Sequence, residues 1–403
     1  MNIDRMRLID RKVGIPLCFI LSVVHTVQKF FRKPSVIEQP KKILFIEMSE
    51  MGSIVLAYSL FKKTRERYPR ASLYFLTFKE TRYAVDIFRF FSEDNIISID
   101  SKNIFRFLVS TLKAMKKLRK EKIDLALDLE LFARFTALLS YLCRAKNRIG
   151  YHRFHNEGLY RGNLLTHRVP FNPHIHMAFN MLNLIYAADS SPDKVPLTKF
   201  PIHKEDIAVP KAEISAGAQE AMLSKLAAEN NEVTQAKKMI LVNPNSSDIV
   251  PLRRWPLERY IELVRRLLGH EGTYVVVTGV ESEKEDAGRI CQEVGSKKCL
   301  NFAGKTTFSE LIDLYNIADI LITNDSGPVH FSSMTDIQTF VFFGPETPKL
   351  YGPLREKAHV FYSDFSCSPC VSAFNHRKSA CNNNECLKAI SVQSVYQEIV
   401  PFL

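Results

Sequence analysis

No apolar run in these 403 residues has the length of a bilayer span. The best candidate, Val13 to Phe31, keeps an unbroken apolar part of only about a dozen residues before His25, Gln28 and Lys29 interrupt it, whereas a spanning helix needs roughly 20. No small-residue cleavage site follows it, which weighs against a secretory signal. Metal-binding histidine motifs are missing too: His152, His155, His167, His174 and His176 crowd one segment, but their spacing is irregular. A motif that reads RNA or DNA is likewise absent, so basic charge alone does not make this a nucleic-acid binder. Tryptophan occurs once, as Trp255 beside Pro256, where a lone aromatic reads as the packing anchor of a helix.

What is present describes a folded protein. Hydrophobic residues make up 46% and charged residues 24%, the proportions of a globular chain, and the length suits two domains and a tail. The formal charge of +12 is unevenly spread, because residues 1–42 hold nine Lys/Arg against Asp4, Asp10 and Glu38. With the apolar stretch between those charges, the N-terminus reads as a helix on the membrane surface, its basic flanks on anionic headgroups. The competing reading is a helix packed on the protein's own core.

From Lys42 onward the chain alternates apolar runs with amphipathic stretches. Ile43 to Ile46, a Gly-containing loop, and a helical pattern to Arg67 form a first βα unit; Ala71 to Thr77 and Ile123 to Leu129 read as further strands. Lys113 to Lys122 is a very basic helical stretch that either extends a membrane-facing patch or is a solvated helix face. The same rhythm restarts at Met239 to Val242 and runs through Tyr274 to Gly279, Ile320 to Ile322 and Thr339 to Phe343. The predicted class is α/β, with a membrane-associating segment at 1–40, Rossmann-like domains at 41–195 and 239–365, a linker at 196–238, and a Cys-containing tail with a closing helix at 366–403.

Strand ends in the second domain present Ser246, Ser247, Arg253, Glu281, Lys305, Asp325, Ser326 and Gly327. Open α/β sheets bind ligands at such ends. Hydroxyls and backbone amides suit phosphates, Arg253 supplies charge, and a carboxylate suits ribose hydroxyls. Together these groups can recognise a nucleotide diphosphate without a metal.

In order, Asn-Pro-x-Ser-Ser, Arg-Arg-Trp-Pro, Val-Thr-Gly-Val-Glu, Ala-Gly-Lys-Thr, Thr-Asn-Asp-Ser-Gly-Pro-Val-His and Phe-Gly-Pro-Glu-Thr-Pro resemble glycosyltransferase family 9, the ADP-heptose:lipopolysaccharide heptosyltransferases. The resemblance covers about residues 41 to 365. It implies a GT-B architecture, two Rossmann-like domains facing across a cleft, with an ADP-sugar held by the second. An inverting transfer without a metal cofactor, onto lipopolysaccharide or a related glycolipid, is implied at the inner face of the cytoplasmic membrane. Position by position, Arg253 matches the residue on the diphosphate, Ser246 or Ser247 the neighbouring hydroxyls, and Glu281 the ribose ligand. Asp325, Ser326 and Gly327 match the sugar-nucleotide contacts, and His330 lies near the donor sugar.

The chain departs from this family in its first loop. There the pattern Ser-x-x-Gly-Asp ends in the proposed general base, but Ser49-Glu50-Met51-Gly52-Ser53 ends in a serine, and a neutral hydroxyl is a poor proton acceptor. Glu50 and Glu47 stand as substitutes, and a catalytically silent sugar-nucleotide binder or a transferase using another sugar nucleotide are the alternatives. In the tail, Cys367, Cys370, Cys381 and Cys386 admit a structural zinc, disulfides or free thiols.

Overall fold

Strand β1 (Lys42–Ile46) sets the plan of the first half because it is apolar on both faces, the mark of a central parallel strand. Phe45 points into an aromatic cluster, its ring 5.0 Å from Phe61 and 5.7 Å from Phe91. Leu44 and Ile46 point the other way, into an aliphatic cluster with Leu76 and Leu118. The computed structural model describes residues 3–31, 38–155, 157–246, 250–375 and 377–403. They divide into two units, Met1–Ala208 with Ala373–His376, and Val209–Ser372 with Arg377–Leu403.

In unit 1, β2 (Ser72–Phe78), β3 (Ile96–Ile99), β4 (Leu125–Asp128), β5 (Asn147–Tyr151) and β6 (His167–Val169) join β1 in the order β3-β2-β1-β4-β5-β6, all parallel. The order reverses between β1 and β4, which makes their carboxyl ends the topological switch point. Ile46 lies opposite Asp128, so the loops after β1 and β4 run side by side.

Helices α1 (Ile3–Lys12), α2 (Gly14–Phe31), α3 (Met51–Leu56), α4 (Tyr58–Arg67), α5 (Arg82–Asp86), α6 (Ile104–Glu121) and α7 (Arg134–Leu142) complete the part of unit 1 that concerns function. Asn103 caps α6 by accepting the Arg106 amide at 2.9 Å, and Lys122 ends it in a left-handed conformation, φ 56°. The basic stretch predicted over Lys113 to Lys122 is this helix; Ala114, Met115 and Leu118 form its buried face. The N-terminal apolar stretch is also helical. Cys18 of α2 packs with Leu138 and Leu164, so core packing holds on that side. Among the described residues no helix is long and apolar enough to cross a membrane.

Unit 2 repeats the topology with β7 (Lys238–Asn243), β8 (Thr273–Val277), β9 (Cys299–Asn301), β10 (Ile320–Asn324), β11 (Gln338–Phe343) and β12 (Ala358–Tyr362), ordered β12-β11-β10-β7-β8-β9. Its switch point falls between β7 and β10, where Asn243 pairs with Thr323. Trp255 is packing, as predicted: its ring stacks on Phe342 at 4.5 Å and its indole N–H donates to the Ile390 carbonyl at 3.1 Å. The helix Val392–Ile399 packs on the same cluster through Val395 and Ile399. Within unit 1, Phe374 lies 5.7 Å from Phe132 and 5.6 Å from Phe171.

Candidate functional site

At the switch point of unit 2, the loop after β7 and the turn after β10 are tied by one side chain. The Asn324 amide donates to the carbonyl of Pro244 at 2.6 Å and of Asn245 at 3.3 Å, while its oxygen accepts the Trp255 amide at 2.9 Å and the Tyr260 hydroxyl at 3.0 Å. Asn324 is fully buried, and a satisfied buried polar network of this kind holds its loops in one geometry. The sequence reading passed over Asn324 in favour of its neighbour Asp325.

The residues so positioned include most of those expected to meet a diphosphate. Arg253 sits 3.6 Å from the Asp325 carboxylate, with both side chains about nine-tenths buried or more. Ser246 is buried, its carbonyl accepting the Arg254 guanidinium at 2.8 Å. Ser326 precedes the short helix Gly327–Ser332, which carries a buried His330, and donates its hydroxyl to the Asn324 carbonyl at 3.2 Å. A Cβ on Gly327 would stand 3.0 Å from the Phe331 ring, which explains a glycine there. Two donors, the Arg253 Nε and the Asn245 Nδ2, are buried with no hydrogen-bond partner among the described residues. Such orphaned donors are costly; a ligand oxygen would satisfy them. Ser247 lies outside the described residues.

Glu281 stands beyond the end of β8, exposed and 3.6 Å from Lys284. Gly304, at φ +74°, makes room for it, since a Cβ there would come within 3.0 Å of the Glu281 Cα. Lys305 is ion-paired. Its ammonium is 2.6 Å from Glu229, a partner from the segment read as linker.

The switch point of unit 1 has the opposite character. Glu47 follows β1 and is buried; Glu130 follows β4 by two residues and accepts the Met48 amide at 2.9 Å. Burial, then the neighbouring carboxylates Glu130 and Glu50, push the Glu47 carboxyl well above the ordinary range. Glu130 is raised by burial and then by Glu50. Close like charges in a dry site oppose each other's ionisation, and both carboxyls are pushed in that direction. Ser53, at the position where a carboxylate was expected, donates its hydroxyl to Glu50 at 2.9 Å. Behind them Arg161 and Asp128 form a fully buried ion pair, and Arg161 also donates to the Tyr151 carbonyl at 3.1 Å. Glu130 was missed by the sequence reading. Its signal was a carboxylate just past the stretch Ile123 to Leu129 read as a strand.

The zinc expected from the tail is not supported. All four cysteines are free thiols lining a hollow of about 40 Å³, yet no group of three or more His, Cys, Asp or Glu among the described residues is placed to hold a metal. The thiols are engaged otherwise: Cys381 donates to the Asn383 carbonyl and Cys370 accepts the Ser379 hydroxyl, each at 3.1 Å. Burial raises the Cys386 thiol, which keeps it protonated.

A sequence profile of glycosyltransferase family 9 (heptosyltransferase) matches residues 111–380. The chain belongs to glycosyltransferase family 9. Lipopolysaccharide heptosyltransferase 2 of Salmonella typhimurium is 29% identical over 154 residues, which is 38% of this chain and 42% of that protein; the chain thus matches less than half the length of that relative. Lipooligosaccharide heptosyltransferase 2 of Haemophilus influenzae is 22% identical over 333 residues, covering 79% of this chain and 87% of its own. Among solved structures, the E. coli ADP-heptose lps heptosyltransferase II aligns with a TM-score of 0.68 at 21% identity, covering 90% of this chain and 98% of its own. A glycosyl transferase family 9 structure from Veillonella parvula gives 0.70 at 19%, over 91% and 98%. At these identities the structural likeness shows the fold: two parallel six-stranded sheets in an α/β arrangement.

Proposed function

We propose that this family 9 protein moves heptose, or a closely related sugar, from an ADP-sugar to a lipopolysaccharide core or related glycolipid, inverting the anomeric centre and using no metal cofactor. The observation that carries the reading is the buried Arg253 beside Asp325, with the orphaned donors of Arg253 and Asn245 facing the same switch point. A diphosphate leaving group gathers negative charge as the glycosidic bond breaks, and a preorganised guanidinium with amide donors stabilises that charge. Ser246 and Ser326 add hydroxyls, Glu281 suits the ribose, and His330 lies toward the sugar.

Unit 1 supplies the base. Glu50 is half-buried and held by the Ser53 hydroxyl; it takes the proton of the acceptor hydroxyl as that oxygen attacks the anomeric carbon. Ser53 is thus a positioning residue in place of the expected carboxylate. The Glu47–Glu130 pair, both carboxyls raised, lies beside it. The reaction is placed on the cytoplasmic side, with the protein peripheral on the inner membrane where a glycolipid acceptor resides.

The test is to incubate the purified chain with an ADP-sugar and a heptose-deficient glycolipid and to measure ADP release. Release that depends on both is the expected result. ADP-sugar binding without release would instead make the chain a silent binder, and release from another sugar nucleotide alone would replace the donor.

A further inference from the structure

The N-terminal hairpin is apolar on two sides. One side is spent on the protein: Gly14, Cys18, Ser22 and His25 form a buried stripe along α2, at spacings that share one helix face. That stripe is pinned by polar bonds. The Asn163 amide donates to the Ser22 hydroxyl at 2.7 Å, the Tyr141 hydroxyl donates to Gln28 at 3.1 Å, and the Arg148 guanidinium lies 3.4 Å from His25. In α1, Asp10 accepts the amides of Arg134 and Phe135 and the Arg134 guanidinium, at 2.9 to 3.1 Å. A Cβ on Gly162 would reach the Cys18 carbonyl at 2.7 Å, so the loop there lies directly on the helix.

The opposite side of α2 is bare. Leu17, Phe19, Ile20, Val23, Val24 and Val27 are all exposed, Phe19 to 60%, and they sweep a continuous arc at 100° per residue. A second bare apolar surface lies on α6, where Phe105 is 74% and Leu112 70% exposed. The two helices meet a common neighbour. Phe107 of α6 stacks within 5.0 Å of Phe135 of α7, Met6 of α1 packs on the same cluster, and α2 rests on α7. Basic residues frame these surfaces: Arg5, Arg11 and Lys12 are exposed on α1, and Lys113, Lys116 and Lys120 on α6. A protein partner's buried surface is depleted in lysine, whereas an apolar face rimmed by lysine and arginine matches the acyl boundary and the anionic headgroups above it.

We propose that the bare faces of α2 and α6 form one contact that lies flat in a single leaflet of an anionic phospholipid membrane, the pinned stripe of α2 preventing that helix from turning to cross it. This deepens the placement of the acceptor proposed above but stands on residues outside both switch points. The full chain should float with vesicles of phosphatidylcholine and phosphatidylglycerol, bind vesicles of phosphatidylcholine alone about tenfold more weakly, and be released by alkaline carbonate. Replacing Phe19, Ile20 and Val23 by serine should lower binding at least about tenfold with an unchanged melting temperature. Should that variant not fold, F105S/L112S on α6 should lower binding about fivefold. Unchanged binding of the folded variants, retention after carbonate, or a dimer in solution that the α2 variant dissolves while neither form floats would each overturn the proposal. ADP release with a water-soluble acceptor fragment should be the same in wild type and variants, so failure of the transferase reading and failure of the membrane contact are read separately.

Discussion

The two units share a strand order and differ in what they place at the point where that order reverses. In unit 2 the ends of β7 and β10 carry Arg253, Asn245 and Asn324, with the Asp325 carboxylate beside the guanidinium. In unit 1 the ends of β1 and β4 carry Glu47, Glu50 and Glu130, with the Arg161 guanidinium spent on Asp128. The strand order is the same, so the side chains that the loops carry make much of the difference. A cationic, donor-rich switch point suits a departing diphosphate; an acidic one suits a proton in transit.

The sharpest way to break this contrast is to remove the carboxylate proposed as the base. Glu50→Gln should lower turnover about a hundredfold or more while ADP-sugar affinity, measured by calorimetry, stays as it was; an unaltered turnover would disqualify Glu50. The counterpart in unit 2 is Arg253→Ala, which should weaken ADP binding about ten- to a hundredfold, the worth of a charged hydrogen bond. If Arg253→Ala left ADP affinity intact, the diphosphate would have to sit elsewhere. Asn324→Ala tests the scaffold and not the charge. Losing the four bonds that join the two loops should cost about 2–3 kcal/mol, seen as a lower melting temperature together with weaker ADP binding.

Smaller effects refine the picture of unit 1. Ser53→Ala removes one hydrogen bond to Glu50, about 1 kcal/mol, and should reduce kcat about fivefold with KM for the donor unchanged; an equal loss in both would mean that Ser53 touches substrate. Glu47→Gln should act through pH. A carboxyl raised in the folded state binds its proton more tightly there than in the unfolded chain, so stability falls as pH rises from the ordinary value of 4.5 through the raised one. The glutamine variant escapes that loss, and its melting temperature should gain on the wild type by about 2 °C between pH 5 and pH 8. A gap that shrinks over this range would mean that Glu47 is ionised in the fold.

Much of this was readable in advance because parallel strands buried on both faces announce themselves as apolar runs, and Trp255 beside Pro256 could be assigned to packing from its neighbours. Arg253 and Asp325 were legible for the same reason, since each follows a strand of the second sheet. Glu130 was not, because its proximity to Glu47 depends on a register between strands some 80 residues apart. Nor was the pairing of Lys305 with Glu229, a residue some 75 positions earlier in the chain. The tail cysteines have a ligand-like count, but a count does not set where the thiols point.

By itself the sequence determined the class of fold, two rounds of alternating strand and helix, and the ordered motifs that place the chain in its family, because local periodicity and chain order are properties of neighbours in the polymer. Tertiary structure decided which carboxylates crowd together, which cations are paired, and which side of the N-terminal hairpin is left uncovered. Those are questions of distance and burial between segments far apart in the chain, and electrostatic energies depend on both.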